Sequence, residues 1–90
     1  MKVMKTQQSL YYSRYCYYCQ KVLSFLRAQN IELELRSTSD SDHKMDLVRG
    51  GGKTQVPCLR IDSENGTEWM YESDDIIEHL RASLPLEATS

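Results

Sequence analysis

The chain has 90 residues, 40% of them hydrophobic, which is enough for one small α/β core and too few for two. A net charge of −2 offers no basic surface for nucleic acid. No apolar run approaches the ~20 residues that a membrane-spanning helix needs, so the expectation is a single domain over residues 1–90, with its core at about residues 8–84, working away from nucleic acid and membrane.

The first eight residues, Met1 to Gln8, carry two lysines and no apolar stretch of signal-peptide length, so the expected compartment is the cytoplasm. Three cysteines without a secretory signal fit reduced or catalytic thiols better than a structural disulfide framework. Ser9 to Ser13 has the aromatic and apolar content of a short strand. Gln20 to Asn30 reads as a helix with Cys19, Val22, Leu23 and Leu26 on one face. Ile31 to Arg36 alternates strictly, which predicts a half-buried strand with Ile31, Leu33 and Leu35 inward, parallel to the first. Ser37 to Asp42 is rich in N-cap residues, and Lys44 to Arg49 predicts a short helix with Met45 and Val48 inward. Gly50-Gly51-Gly52 then reads as a chain reversal, since it lacks the spacing and the preceding strand of a phosphate loop.

Val56 to Ile61 and Thr67 to Tyr71 flank Asn65-Gly66, a hairpin signal that predicts an antiparallel pair. Pro57 suits the start of a strand, where its missing N–H is not needed by the ladder. Ser73 reads as the N-cap of a last helix with Asp74 and Asp75 in its first turn, Ile76, Ile77, Leu80 and Leu84 as its buried stripe and Pro85 as its limit. The tail from Leu86 to Ser90 is expected to be loose. His43 and His79 have no partner in sequence and read as surface or satisfied residues; Trp69 and Cys58 read as packed strand residues. Either Tyr11 or Tyr12 belongs to the core, whereas Tyr17 and Tyr18 suit an exposed collar around the cysteines.

The order β, C-x-x-C, helix is the context of redox chemistry. Cys16 sits at the N-terminus of the first helix, where unpaired N–H groups and the positive dipole end favour a nucleophilic thiolate. Cys19 falls in register with Val22 and Leu26 and is expected to be sheltered. One exposed attacking thiol and one sheltered resolving thiol make a dithiol exchange site. Two other readings are weighed against it. Half a zinc site is one, but a tetrahedral centre needs about four ligands and His43, His79 and Cys58 show no second paired spacing. Two ordinary buried cysteines are the other, which the position of Cys16 ahead of the apolar face disfavours.

C-x-x-C at a helix start, Val56-Pro57 at a strand start and Ser73-Asp74 at a helix start occur together in a βαβαββα order. In this the chain resembles a glutaredoxin of the thioredoxin superfamily over residues 8–84. The resemblance implies a thioredoxin-like four-stranded mixed sheet flanked by helices, and a glutathione-dependent thiol–disulfide oxidoreductase with a role in electron transport. It implies Cys16 as nucleophile and Cys19 as resolving thiol. Tyr18 would line the glutathione site, Val56 would hold the cysteinyl backbone of glutathione and Pro57 would be cis. Ser73 would meet the γ-glutamyl carboxylate and Asp74 its ammonium, although a plain N-cap is the simpler reading of Ser73. Glutathione is implied as co-substrate, and glutathionylated or disulfide-containing proteins as partners of a monomer.

Several residues depart from the glutaredoxin pattern. Tyr17 stands where that family has proline, and Ser13 where it has lysine, leaving Arg14 or Lys53 as candidates for the glycine carboxylate. Tyr71-Glu72 replaces the usual Gly-Gly. Glu72-Ser73 and Val56-Pro57-Cys58-Leu59 are similar instead to the N-terminal domains of glutathione S-transferases. These 90 residues hold no long helical second domain of the kind such transferases need for an electrophile site, so the resemblance implies no free-standing transferase activity. Three functions therefore stand open: a thiol–disulfide oxidoreductase; a carrier of a [2Fe–2S] cluster held by Cys16, glutathione and a second subunit; and a non-catalytic glutathione-binding domain, which would need neither cysteine.

Overall fold

The computed structural model describes residues 7–82, so the expectations for the N-terminal segment before Gln7 and for Leu84, Pro85 and the tail lie outside the described residues. The elements run β1 (Gln7–Tyr12), α1 (Tyr17–Ala28), β2 (Glu34–Ser37), α2 (Ser41–Gly51), β3 (Cys58–Ser63), β4 (Gly66–Tyr71) and α3 (Ser73–Ala82). One four-stranded sheet has the order β2-β1-β3-β4. β1 lies parallel to β2 and antiparallel to β3, and β3 is antiparallel to β4, so the mixed sheet follows the expected βαβαββα order. No helix among the described residues is long and apolar enough to cross a membrane.

Strand alternation gives the sheet two unlike faces. Leu10 pairs with Leu59, and Leu59 with Met70; with Ile61 they meet Val22, Leu23 and Leu26 of α1 and Ile76 and Leu80 of α3 in the main core. The opposite face carries the Tyr11, Cys58, Tyr71 row, covered by Leu47 of α2 together with Val56 and Trp69. The α1 stripe of Cys19, Val22, Leu23 and Leu26 is buried as its helical spacing requires.

The structure corrects several expectations. β2 begins at Glu34, so Ile31 and Leu33 pack against the core from the preceding segment, and Leu35, on this edge strand, is exposed at the rim of an open groove beside α1. α2 starts earlier and ends later than the Lys44–Arg49 reading. Asp40 caps it through Asp42 N–H at 2.9 Å, Leu47 is its buried residue, and Met45 and Val48 are exposed. Gly50 and Gly51 form its last turn rather than a chain reversal, and Gly52, at φ 87°, is the left-handed cap. A Cβ at Gly50 would run into the Trp69 ring and one at Gly51 into the Tyr71 hydroxyl, so the two glycines let α2 lie close on β4. In the hairpin, Ser63 pairs with Gly66, which places Glu64 and Asn65 in the turn. The positive φ falls on Gly66, at 125°, and neither turn residue has the positive φ that a two-residue type I′ hairpin demands.

Candidate active site

The segment between β1 and α1 delivers Cys16 as the N-cap of α1. Its backbone is extended (φ −100°, ψ 121°), its carbonyl accepts from Gln20 N–H at 3.0 Å, and its Sγ accepts from Cys19 N–H at 3.3 Å. A thiol here takes the place of the Ser or Asp oxygen that usually caps a helix. The first turn of α1 holds no acidic residue, so a negative sulfur meets N–H dipoles and no like charge from its own helix turn. Cys16 is half-buried, with its thiol 3.9 Å from the Val56 carbonyl oxygen, to which it can donate.

Cys19 differs from it in burial. It is fully buried and accepts from Ser13 N–H at 3.4 Å. Burial, above all, pushes its thiol up to about 12. It therefore stays protonated at neutral pH while Cys16 holds the accessible sulfur. Cys58 is buried on the other face, beside Tyr71. Burial pushes the Cys58 thiol up to about 11 and the Tyr71 hydroxyl up to about 12; that hydroxyl is buried with no hydrogen-bond partner of good geometry.

Opposite Cys16, the Val56-Pro57 peptide bond is cis, and β3 starts at the following residue. Next to it opens a cleft of about 400 Å³ lined by Tyr18, Gln55, Val56, Pro57, Glu72, Ser73 and Asp74. The structure thus gathers Tyr18, Val56, Pro57, Ser73 and Asp74 round one cavity, with Cys16 at its edge through Val56. Arg14 and Lys53 stand outside its lining. Arg14 borders a separate recess of about 300 Å³ with Ser13, Tyr15, Ser37 and Ser39, and the Lys53 ammonium lies 4.5 Å over the Tyr71 ring. A larger groove of about 610 Å³ between α1 and β2, lined by Leu23, Leu26, Ile31 and Leu33 among others, contains none of the cysteines.

Of the lining residues, Gln55 was not legible in the sequence, and Glu72 entered there only with Ser73, through the resemblance to transferase N-terminal domains. Glu72 takes φ 78°, a left-handed conformation uncommon outside glycine, and its carbonyl accepts from Ile76 N–H at 3.0 Å. Glu72 therefore occupies the capping position, and Ser73, read from the sequence as the N-cap, is the buried first residue of α3. Glu72 following Tyr71 at the end of a strand gave no signal of positive φ. Lys21 of α1 reaches Asp74 at 2.6 Å, and the carboxylate holds the ammonium above its usual value. Tyr15, Tyr17 and Tyr18 are exposed around Cys16, with the Tyr17 and Tyr18 rings edge to face at 5.3 Å, whereas Tyr11 is wholly buried. His43 shares a 3.0 Å hydrogen bond with the Ser37 carbonyl. Among the described residues no group of three or more His, Cys, Asp or Glu side chains is placed to hold a metal ion.

The fold is thioredoxin-like. The solution structure of glutaredoxin from Brucella melitensis matches 91% of this chain and 85% of its own, with TM-score 0.53 and 14% identity. Maleylacetoacetate isomerase from Anaeromyxobacter dehalogenans 2CP-1, with glutathione bound in its active site, matches 89% of this chain with TM-score 0.66 and 18% identity. The same isomerase holding dicarboxyethyl glutathione and citrate gives TM-score 0.66 and 20% identity over 89% of the chain. The chain spans 38% of the isomerase in both cases. No curated protein matches it. The glutathione S-transferase N-terminal domain model matches residues 10–87, and the chain belongs to that family.

Proposed function

We propose that this chain is a glutathione-dependent thiol–disulfide oxidoreductase acting on glutathione mixed disulfides and protein disulfides. The observation that carries this reading is the pairing of Cys16, a half-buried thiol capping α1, with the fully buried Cys19 one turn away. A domain that only binds glutathione needs neither sulfur. The family and the glutathione held by the structural neighbour support glutathione as the small thiol.

On a glutathionylated protein, the Cys16 thiolate attacks the glutathione sulfur. The S–S bond breaks, the protein thiolate leaves and takes a proton, and Cys16 carries glutathione as a mixed disulfide. A second glutathione thiolate then attacks that glutathione sulfur, releasing oxidised glutathione and restoring Cys16. On a protein disulfide, Cys16 forms a mixed disulfide with the substrate, and Cys19 loses its proton and attacks the Cys16 sulfur. The reduced protein leaves, and two glutathiones reduce the Cys16–Cys19 disulfide, with two electrons moving in each cycle. The Val56 main chain would align the cysteinyl part of glutathione, with cis Pro57 and Tyr18 bordering it, and Ser73 and Asp74 would meet the γ-glutamyl end. Arg14 or Lys53 would reach the glycine carboxylate only by swinging toward the cleft. The exposed tyrosines supply apolar area for the rest of the substrate.

The test couples the protein to glutathione, glutathione reductase and NADPH, with a glutathionylated peptide as substrate. NADPH consumption that depends on both the protein and glutathione is expected; glutathione binding without turnover would leave the non-catalytic domain as the answer.

A further inference from the structure

Lys21 on α1 and Asp74 on α3 are 53 positions apart in the chain, yet Lys21 Nζ lies 2.6 Å from Asp74 Oδ1. Their side chains keep 42% and 81% of their solvent exposure, and an ion pair this open adds little to stability. The two helices are already joined to the core by Val22, Leu26, Ile76 and Leu80. What the pair does change is the charge at the α3 end of the cleft. The lining there has two carboxylates, Glu72 and Asp74, and no cation. Lys21, bonded to the second of these, puts a positive group beside them. Tyr18, one turn before Lys21 on the same helix, lines the cleft as well.

A γ-glutamyl terminus carries an ammonium and a carboxylate on one carbon. Asp74 is suited to the first and repels the second. We propose that Lys21 is a specificity residue for this terminus: its ammonium receives the α-carboxylate while Asp74 receives the α-ammonium. The inference rests on the glutathione-dependent reading given above. Ligand binding then exchanges one solvent-exposed ion pair for two charge-assisted ones arranged in alternation, Lys21 with carboxylate and ammonium with Asp74. The class of thiol selected is one that ends in a zwitterionic γ-glutamyl group. A thiol lacking that group leaves the Lys21–Asp74 pair closed and gains nothing from it.

The experiment compares one peptide carrying either of two mixed disulfides, with glutathione or with cysteinylglycine, which lacks the γ-glutamyl group. Dithiothreitol at fixed concentration serves as reductant, and wild type, Lys21→Met and Lys21→Arg are assayed. Wild type is expected to prefer the glutathione disulfide. Lys21→Met should raise KM for that disulfide by about 5–10-fold, the net scale of one hydrogen bond once the broken Lys21–Asp74 pair is offset, with kcat unchanged. It should leave the cysteinylglycine disulfide unaffected, and Lys21→Arg should retain most of the preference. Lys21 is exposed, so an unchanged melting temperature is expected to show that the fold is intact. An unchanged or lowered KM in Lys21→Met, with the wild-type preference present, overturns the role of Lys21 alone; a lowered value would mean that Lys21 competes with the ligand for Asp74. A wild type indifferent to the two disulfides overturns the glutathione reading itself, and this inference with it.

Discussion

Two helices begin at the cleft, and they begin differently. α1 is capped by a sulfur and has no acidic residue in its first turn. α3 starts behind a left-handed Glu72 and carries Asp74 and Asp75 in its first turn. Both helix ends present unpaired N–H groups. At α1 nothing of like charge competes for them, which suits a group that must become negative in order to react. At α3 the carboxylates already offset the dipole, and Lys21 adds a cation, which suits a ligand of mixed charge. On the proposed function, one helix start serves chemistry and the other recognition, and the two are brought together because α1 and α3 pack side by side on one face of the sheet.

If this division is right, the largest effect belongs to the α1 start. Cys16→Ser should lower turnover on both glutathionylated peptide and protein disulfide by about 10³-fold or more, since no other sulfur near the cleft is accessible. Cys19→Ser separates the roles of the two thiols on the same helix. Deglutathionylation should stay within about threefold of wild type while protein-disulfide reduction falls by about 10–100-fold, because only the second route needs an internal resolving thiol. Parallel assays of each variant on the two substrates check both.

The two buried thiols give the protein a pH signature. Cys19, raised to about 12, and Cys58, raised to about 11, hold their protons in the folded state at a pH where the unfolded chain, titrating near 9, has lost them. Their contribution to stability is complete below about pH 9 and is lost as the pH climbs from there toward 11–12. The unfolding midpoint in urea is therefore expected to fall between pH 8.5 and 10.5, and to fall less steeply in Cys58→Val; equal slopes would show that Cys58 is no more buried than in the unfolded chain.

The smallest effect is expected at the α3 start. Glu72→Gly removes the side chain from a residue held at φ 78°, relieving a conformation that costs a non-glycine residue up to about 1 kcal/mol, while the extra freedom of the unfolded chain offsets part of the gain. Stability should change by less than about 1 kcal/mol in either direction by chemical denaturation. A loss well beyond that would mean that the Glu72 carboxylate is a structural support of α3.

Much of this architecture was legible in the chain. The register of Cys19, Val22, Leu23 and Leu26 fixes which thiol is buried, because a helix 12 residues long has room for only one apolar stripe. The hairpin was legible as a hairpin. Its turn was not, because the loop falls on Glu64 and Asn65, one residue earlier than the Asn-Gly signal implies, and the positive φ is confined to Gly66. Leu35 was misread because alternation says which side chains share a face and not whether anything covers it. That Gly50 and Gly51 belong to α2 rather than to a chain reversal was not legible, since their use, admitting Trp69 and Tyr71 against α2, involves residues about 20 positions downstream on another element. For the same reason the Lys21–Asp74 pair, spanning 53 positions, could be found only in the folded chain.

If Cys16 is the exchanging sulfur, its glutathione adduct can be trapped. In Cys19→Ser, which cannot resolve a mixed disulfide internally, oxidised glutathione should leave a single glutathione adduct, located on Cys16 by mass spectrometry of the digested protein. An adduct on Cys58 with Cys16 unmodified would contradict the assignment.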